Sequence, residues 1–366
     1  MMRVKLKDIT NYSKGSQINR DILLENGKYI YLNGGINPSG KWNAYNVSSK
    51  TITISEGGNS SGYINYITEP FWCGAHCYYL FDGPKNTKYL YYALKSQQER
   101  LFKIRSGACM PNIKKKDLGN FEFEFDFNEK IQIKIVSILD ECNKIINNYK
   151  LELELLDELV KARFVELFGD PATNEYNWPM LNLDNVSSII TYGLTVRPTY
   201  VNKGIDLISA RELHKGFIEY EVAPKISFND FQSLSDKGKP LKNDILFSKT
   251  GSIGHCALVD TDKMFAITQN AARLGLIIEK VNPVWLLYYL RMNYIQDWCK
   301  RHAKGNAVKD LQLKDIKAIP LFECPLELQN QFADFVKEVD KSRLEVQKSL
   351  KKTQELFDSL MQKYFG

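Results

Sequence analysis

The 366-residue sequence lacks the short motifs that several classes of enzyme require. It contains no Asn-Pro-Pro or Asp-Pro-Pro, with which amino-methyltransferases hold a base amine. It also contains no phosphate-binding loop of the Gly-x-x-x-x-Gly-Lys-Ser/Thr type. No Pro-Asp dipeptide occurs, so the common nuclease signature is missing as well. The sequence therefore predicts a chain without a catalytic site of its own.

A disulfide framework and long apolar runs are also absent. The seven cysteines are scattered, and Cys73, His76 and Cys77 have no second Cys/His pair to complete a zinc site. We therefore predict no metal, and we expect Cys73 and Cys77 to be buried on one face of a core strand. No run of about 18 apolar residues exists, and the first residues do not resemble a secretory signal. These absences predict a reduced, cytoplasmic protein that does not span a membrane.

The composition suits a folded, mildly basic protein. Hydrophobic residues make up 44% of the chain, and the net charge is +6. A chain of this length accommodates two or three domains. The charge permits a polyanionic partner without requiring one.

The most informative feature of the sequence is a long internal repeat. Residues 129–169 align with residues 326–366 at a constant shift of 197, without a gap, and both segments end in Phe-Gly. Upstream, residues 107–118 match residues 305–316 at a shift of 198. A repeat of this length indicates a duplicated domain and a pseudo-twofold molecule.

Both repeated segments predict long helices. Apolar residues fall at 131, 135, 138, 142, 145 and 149, the spacing of a coiled coil, and after a slip at 153, 156, 160, 164 and 167. The second segment places its apolar residues on one heptad frame at Leu328, Phe332, Phe335, Val339, Val346, Leu356 and Leu360. Gly169 and Pro171 are expected to end the first helix. Because a globular segment separates the two helices, we expect them to pair antiparallel.

The segments between these helices predict a mixed α/β structure. We expect helices over Tyr89–Ile104 and from Asn282 to about Lys300, and a half-buried strand over Phe121–Phe127, where phenylalanine alternates with acidic or polar residues. Further predicted strands are Tyr29–Leu32, Thr51–Ile54, Cys77–Phe81, Leu207–Ser209, Asp244–Ser248, Ala257–Val259 and Arg273–Ile278.

The order of several weak motifs, present in both halves, resembles the specificity (S) subunit of type I restriction–modification systems. These motifs are Ile54–Tyr63, Glu69–Trp72, Asp244–Gly254, Ile267–Leu274, Lys304–Leu311, Pro325–Gln329 and the junction Phe168–Pro171 with Asn177–Trp178. The first half departs from the pattern, because Phe127–Ile131 replaces the usual Pro-Pro-Leu type of segment ahead of the helix.

The resemblance implies an α+β fold with two α/β target-recognition domains in pseudo-twofold repeat, separated by two long helices that form an antiparallel coiled coil. We place target-recognition domain 1 at 1–127, the central helix at 128–170, target-recognition domain 2 at 171–324 and the C-terminal helix at 325–366. The family implies a non-catalytic DNA-recognition subunit that reads a bipartite target, with the helices setting the unread spacer.

The resemblance also implies partners. These are double-stranded DNA, two modification (methyltransferase) subunits, and restriction (helicase-nuclease) subunits. S-adenosylmethionine, ATP and Mg would belong to those subunits, and no cofactor is expected on this chain. Two alternatives are a self-contained DNA methyltransferase or nuclease, against which the missing motifs count, and a coiled-coil scaffold without a role in DNA binding.

Candidate DNA-binding residues were chosen for their position on loops and for the chemistry of base and phosphate contacts. In the first half they are Asn33, Asn59, Ser60, Tyr63, Arg105 and Asn112. In the second half they are Arg211, Lys249, Thr250, Ser252, Gln269, Asn270, Lys304, Asn306 and Lys309. The competing interpretation is that the glycines of these loops only make turns and that Gln269 and Asn270 cap a strand.

Overall fold

The computed structural model describes residues 1–107, 110–306 and 308–366. Ala108, Cys109 and Ala307, which belong to the repeated segments 107–118 and 305–316, lie outside the described residues. The chain divides into two compact units. The first comprises Met1–Leu151 with Gln347–Gly366, and the second comprises Glu152–Val346.

The first unit is a mixed α/β structure. Its strands are β1 (Met2–Lys5), β2 (Asn11–Lys14), β3 (Tyr29–Leu32), β4 (Gly40–Trp42), β5 (Thr51–Ser55), β6 (Ile64–Ile67), β7 (Trp72–Cys73), β8 (Cys77–Phe81) and β9 (Glu122–Phe125). Its helices are α1 (Leu6–Ile9), α2 (Thr87–Lys95), α3 (Gln98–Lys103), α4 (Lys115–Gly119) and the first part of α5 (Glu129–Phe168), with a 3₁₀ turn at Arg20–Ile22.

The main sheet of this unit has the antiparallel order β2-β8-β5-β6. Its strand β5 is buried along its whole length, as expected for a run of β-branched residues inside a sheet. A second sheet, β4-β3-β7, contains the parallel pair β3–β7, and β1 pairs with β9. Buried side chains of the main sheet, α2 and β9 form one core, which includes Ile52, Tyr89 and Phe123.

The second unit contains β10 (Met180–Asn182), β11 (Ser187–Tyr192), β12 (Tyr200–Val201), β13 (Ile205–Ile208), β14 (Lys225–Ile226), β15 (Ile245–Ser248), β16 (Cys256–Leu258), β17 (Phe265–Ile267), β18 (Ala271–Leu276) and β19 (Pro320–Phe322). Its helices are α6 (Phe228–Ser233), α7 (Pro283–Arg291), α8 (Asn293–His302), α9 (Leu313–Lys317) and the first part of α10 (Leu326–Phe365). Turns of 3₁₀ helix lie at Leu183–Val186, Ala210–Leu213, Tyr220–Val222 and Asp236–Gly238.

The second unit repeats the topology of the first. The sheet β11-β18-β15-β16 corresponds to β2-β8-β5-β6, the parallel pair β13–β17 corresponds to β3–β7, and β10–β19 corresponds to β1–β9. In both units, two consecutive helices follow the main sheet, and a short helix and a strand then lead into a 40-residue helix. The structure thus confirms that the sequence repeat is a repeat of the fold.

The long helices α5 and α10 contribute to both units and pack antiparallel. In the second unit, Phe164 of α5 contacts Phe332 of α10, with ring centroids 5.3 Å apart. Earlier in α5, the Asp157 Oδ1 accepts a 2.6 Å hydrogen bond from Arg343, which lies later in α10. In the first unit, Ile135 and other residues from the start of α5 share a core with Met361, Phe365 and their neighbours at the end of α10. The predicted fold class, with two α/β units and paired long helices, is therefore confirmed.

Parts of the predicted helical pattern are wrong. Ile131 and Leu356, both expected in the apolar seam, are exposed, whereas Leu139 and Ile146 are buried. The set of buried residues differs because the ends of α5 and α10 pack against the sheets and short helices of each unit as well as against each other. Tertiary packing therefore selects a different set of apolar residues from the heptad count.

The two predicted helices after the main sheets are each interrupted. The segment Tyr89–Ile104 is divided between α2 and α3, and the segment from Asn282 is divided at Met292, whose backbone is extended. The Leu290 carbonyl, which loses its helical partner at that break, accepts a 2.6 Å hydrogen bond from the Gln296 side chain. At the second break a side-chain amide thus supplies a hydrogen bond that an apolar period does not reveal.

Cys73 and Cys77 are buried, but they lie on different strands, β7 and β8, rather than on one strand as we expected. Among residues 1–107, 110–306 and 308–366, no group of three His, Cys, Asp or Glu side chains is placed to hold a metal ion. Within the same residues, no helix has the length and apolar character needed to cross a membrane.

Candidate nucleic-acid interface

Each unit exposes a glycine-containing loop at the end of the buried strand of its main sheet. Loop G1 (residues 56–62) joins β5 to β6, and loop G2 (residues 249–254) joins β15 to β16. Gly58 and Gly251 occupy equivalent places, with φ of +76° and +80°. A Cβ atom added to either residue would meet no atom within 4 Å among residues 1–107, 110–306 and 308–366. These glycines therefore permit the left-handed turn and present bare backbone to the surroundings.

A second loop lies beside each glycine loop. Loop C1 (described residues of 106–112) and loop C2 (described residues of 304–310) follow α3 and α8. Each is closed by reciprocal backbone hydrogen bonds of 2.7–2.9 Å, between Ser106 and Asn112 and between Lys304 and Asp310. The two loops are therefore constrained at their bases in the same way.

Backbone hydrogen bonds join the two loops of each unit at equivalent positions. In the first unit the Gly58 N–H donates to the Pro111 carbonyl, and in the second the Gly251 N–H donates to the Lys309 carbonyl, at 2.9 and 2.8 Å. A second bond runs in each unit from the residue after the closed loop to the first residue of the glycine loop: Ile113 to Glu56 at 2.9 Å, and Leu311 to Lys249 at 2.7 Å. Each pair of loops is thus one connected surface.

A glutamine fixes the far end of each glycine loop. The Gln98 side-chain amide, on α3, donates to the Gly62 carbonyl at 2.6 Å. The Gln296 amide, on α8, donates to the Gly254 carbonyl at 3.0 Å. These glutamines are 198 residues apart, the same shift that relates the closed loops. The helices after the main sheet therefore position both loops.

Three candidate residues of the first unit, Asn59, Ser60 and Asn33, lie on or near loop G1. Asn59 is exposed on the loop. The Ser60 hydroxyl donates to the Gly34 carbonyl at 2.7 Å, which ties the loop to the segment after β3. The Asn33 side-chain oxygen accepts from the His76 N–H at 3.2 Å. The side chains of Ser60 and Asn33 therefore brace neighbouring segments, while that of Asn59 faces outward.

Tyr63 and Arg105 make cation–π contacts within the first unit. The Lys95 ammonium lies 3.9 Å from the centre of the Tyr63 ring, and the Arg105 guanidinium lies 4.0 Å from the centre of the Phe102 ring. Burial lowers the pKa of Lys95 to about 8. The side chains of Tyr63 and Arg105, both predicted to contact DNA, are thus held in fixed positions beside loops G1 and C1.

The candidates Lys249 and Thr250 of loop G2 bind Asp310 of loop C2. The Lys249 ammonium, whose side chain is 12% exposed, donates to the Asp310 Oδ1 at 2.5 Å. The Thr250 hydroxyl donates to the same oxygen at 2.6 Å. Burial alone would raise the pKa of the Asp310 carboxyl, but the hydrogen bonds and the charge of Lys249 outweigh it and hold this pKa below its ordinary value. Asp310 therefore stays ionised at neutral pH.

The other candidates of loops G2 and C2 face outward. Ser252, Lys304, Asn306 and Lys309 are all exposed. Asn270 lies against the same surface, because its carbonyl accepts from the Lys249 N–H at 3.0 Å. The second unit therefore combines two exposed lysines with polar side chains on one connected surface.

Arg211 and Gln269 are placed differently. Arg211 is exposed in the 3₁₀ turn Ala210–Leu213, and within the described part of the chain no hydrogen bond joins its side chain to loops G2 and C2. Gln269 is exposed, and its N–H donates to the Leu194 carbonyl at 2.9 Å. These two positions lie outside the hydrogen-bonded pair of loops.

Sequence reasoning missed two acidic residues of this surface. Asp310 closes loop C2, and Glu56 begins loop G1, where its buried carboxylate pairs with Lys14. Asp310 could have been found by the shift of 198, because that shift places it on the candidate Asn112. Glu56 carried no comparable signal, because the glycine loops differ in length.

Comparison with known proteins identifies the family. Residues 1–156 and 197–356 match the type I restriction modification DNA specificity domain. A type I specificity subunit of Mycoplasma genitalium is 29% identical over 191 residues, which cover 51% of this chain and 50% of the relative. The specificity subunit of the type I restriction enzyme EcoBI, from Escherichia coli, is 26% identical over 188 residues, which cover 50% of this chain and 40% of the relative. The chain thus spans about half the length of the curated relatives that it matches.

A solved structure shows the same fold along the full chain. The crystal structure of a type I restriction–modification S subunit from M. genitalium superimposes with a TM-score of 0.64 and 20% identity, covering 100% of this chain and 96% of that one. The repeated topology, the paired long helices and the domain match agree with one another. The chain belongs to the family of type I restriction–modification DNA specificity subunits.

Proposed function

We propose that this specificity subunit reads a bipartite target in double-stranded DNA, with one half-site for each unit. The observation that supports this proposal is the pair of loops that occurs in both units with the same backbone hydrogen bonds but with different side chains. A backbone frame shared by both units suits contact with the regular phosphate backbone, whereas side chains that differ between the units suit the reading of different bases. In this proposal the reading domains are 1–127 and 171–324.

The exposed lysines are arranged as phosphate contact requires. Lys114, Lys115 and Lys116 follow loop C1 directly and are all exposed, and loop C2 carries exposed Lys304 and Lys309. Lysine side chains bind phosphates without regard to sequence and release counterions when they do. We therefore expect binding to weaken steeply as salt concentration rises.

In this proposal the long helices determine the length of the unread spacer between half-sites. Each helix has 40 residues, which corresponds to a length of about 60 Å at about 1.5 Å per residue. Both helices contribute residues to both units. A change in helix length is therefore expected to change the spacer.

We further propose that two modification subunits dock on this chain, and that restriction subunits join them. EcoBI, whose specificity subunit is a relative, is a type I restriction enzyme. The long helices carry exposed apolar side chains, including Ile133 in the first unit and Leu155 and Leu159 in the second, which suit a protein partner. S-adenosylmethionine, ATP and Mg would bind to those partners, so this chain alone is expected to catalyse no methyl transfer.

The test combines methylome sequencing with a change in helix length. Four residues are inserted near Leu151–Leu155 in α5, with a matching insertion after Val346 in α10, because Asp157 pairs with Arg343. The insertions add about 6 Å of helix, which corresponds to roughly one or two base pairs at about 3.4 Å each. A strain that expresses the variant with its modification subunits should methylate the same half-sites at a longer spacing.

The matched control inserts four residues after Asp262, in the exposed loop between β16 and β17, and should leave the spacer unchanged. An unaltered spacer in the helix variant would refute the role of the helices in spacing. The absence of any bipartite methylated motif with the unaltered chain would refute the proposed function. Methyl transfer by the purified chain alone would instead indicate an enzyme.

A further inference from the structure

Asn112 and Asp310 occupy the same position in the two units. The residues are 198 apart in the sequence, and each closes its loop C through backbone bonds to the residue six positions earlier. Each also bridges to the adjoining loop G, Asn112 to Gly57 and Asp310 to Thr250. The sequence alignment and the backbone hydrogen bonds therefore give the same result: Asn112 and Asp310 are equivalent residues of the proposed DNA-reading surface.

The carboxylate of Asp310 has one oxygen occupied and the other available. Its Oδ1 accepts from both Lys249 and Thr250, whereas its Oδ2 accepts no hydrogen bond from any described residue. The side chain is 40% exposed. The Lys249 ammonium compensates the negative charge, so that a carboxylate can face a polyanion at this point. Asp310 therefore offers a fixed, ionised acceptor to a neighbouring molecule.

The Asn112 side chain offers both a donor and an acceptor. It is half-buried beside Gly57, and within the described part of the chain its amide makes no hydrogen bond. An asparagine amide can donate through nitrogen and accept through oxygen at the same time. The equivalent positions of the two units thus differ in their hydrogen-bonding capacity.

These two capacities match different bases. In the major groove, cytosine presents the N4 amine as a donor, whereas thymine presents an acceptor and guanine presents two. Adenine presents the N6 donor next to the N7 acceptor, which would repel the oxygens of a carboxylate but which pairs with an asparagine amide through two hydrogen bonds. A lone acceptor therefore selects cytosine, and an amide selects adenine.

We propose that Asp310 reads a cytosine through its N4 amine in one half-site, and that Asn112 reads an adenine at the corresponding place in the other. This inference rests on the proposed function and names the bases that two particular side chains recognise. Lys249 and Thr250 are positioning residues, because they orient the carboxylate through its other oxygen.

The test exchanges the two side chains. Asp310→Asn should replace one cytosine by guanine or thymine in a single half-site, because the amide oxygen still accepts from Lys249 and Thr250 and the outward N–H then requires an acceptor on the base. The preference between duplexes that differ only at this base should change by roughly tenfold to one hundredfold. Methylome sequencing of the variant with its modification subunits identifies the base, and binding of the purified complex to the matched duplexes measures the preference.

The reciprocal variant, Asn112→Asp, should lose the preference for adenine in the other half-site only, because a carboxylate has no donor for N7. It provides a second test if Asp310→Asn does not fold, which thermal denaturation of the purified complex reveals. The matched control is Asp297→Asn, which removes an exposed carboxylate that pairs with Lys300 on α8. This control should leave the recognised motif unchanged.

Three results would overturn the assignment while leaving the proposed function intact. The unaltered complex could methylate a bipartite motif that has no cytosine in one half-site or no adenine in the other. Both exchanges could leave the motif unchanged. Alternatively, Asp310→Asn could weaken binding to all duplexes equally, which would show that Asp310 only clamps the two loops. A complex that recognises no bipartite motif at all would contradict the proposed function itself.

Discussion

Replacement of Gly251 by alanine should reduce both the stability of the second unit and its affinity for DNA, and a matched glycine variant distinguishes the two effects. Gly251 has a φ of +80°, and an added Cβ would meet no atom of the described residues within 4 Å. The substitution therefore creates no clash with the described residues, but it places a methyl group on the surface of loop G2. If this surface contacts DNA, the methyl group will hold the phosphate backbone away from it.

Gly169 provides a matched control in the same unit. It has a φ of +78°, and an added Cβ would lie 3.7 Å from its nearest neighbour, an ordinary van der Waals contact. Alanine in this conformation costs roughly 1–2 kcal/mol at either position. For a unit of this size that cost lowers Tm by about 2–8 °C. We expect Gly169→Ala and Gly251→Ala to lose similar thermal stability.

DNA binding should distinguish the two variants. Loss of one hydrogen bond to a charged phosphate costs about 1.5–3 kcal/mol, which corresponds to a roughly tenfold to one-hundredfold weaker Kd. The slope of log K against log salt should fall by about 0.9 for each phosphate contact that is lost. Fluorescence anisotropy with a target duplex, across a series of salt concentrations, measures both quantities for the complex with its modification subunits.

The result that would refute the reasoning is equal behaviour of the two variants in the binding assay. If Gly251→Ala binds DNA with the affinity and salt slope of Gly169→Ala, loop G2 does not approach the phosphate backbone. A large loss of stability in Gly251→Ala alone would instead show that the space beside its Cβ is filled. The thermal and binding data together therefore decide between strain and obstruction.

Three further predictions concern the free energy of unfolding, measured with urea. Arg273→Met should lower it by about 3–5 kcal/mol, because the buried Asp244 carboxylate loses its 2.6 Å partner. A loss below about 1 kcal/mol would contradict this. Phe164→Ala should lower it by about 3–5 kcal/mol, because the ring is fully buried in the core that the long helices share with the second unit. From about pH 8 to pH 10 the free energy of unfolding should rise, because the unfolded chain still holds the proton that Lys95 releases in the folded chain. Lys95→Met should abolish this rise.

The long helices were predictable because their sequence obeys simple rules. Forty residues without proline or glycine, with apolar side chains at helical spacing, specify α5 at Glu129–Phe168, and Gly169 ends it with a positive φ. The repeat of the sequence then specified the repeat of the topology. Both features could be predicted because the helical spacing and the repeat can be read from the sequence without knowing which distant segments are in contact.

The breaks after α2 and α7 were not predictable in the same way. Both regions keep an apolar period, so a continuous helix was the expected result. The Ser96 hydroxyl donates to the Ala93 carbonyl at 2.9 Å, and the Gln296 amide donates to the Leu290 carbonyl at 2.6 Å. These bonds compete with or replace helical ones. The Gln296 amide also donates to the Gly254 carbonyl of loop G2, a distant contact that the local sequence does not reveal.

The candidate surface was predictable as loops but not as individual contacts. Residues chosen on the glycine loops and after the short helices do come together in each unit through the bonds between loops G and C. Their partners within the protein were not evident: Lys249 was predicted to bind DNA, and nothing in the local sequence indicated that it also holds Asp310 across 61 positions of sequence. The direct DNA contacts of all the candidate residues stay predictions.

Loops G1 and G2 show how the same backbone frame carries different side chains in the two units. The backbone bond to Ile113 starts from Glu56, and the equivalent bond to Leu311 starts from Lys249, so that the charge at this position is reversed while the backbone stays the same. Glu56 pairs with Lys14 within its own unit, whereas Lys249 pairs with Asp310 of loop C2. Because the bonds from Ile113 to Glu56 and from Leu311 to Lys249 use only backbone atoms, side-chain substitutions at these positions need not disturb them. The side chains of the two loop pairs can therefore differ between the units, while the glutamine anchors and the backbone pairing hold each surface in place.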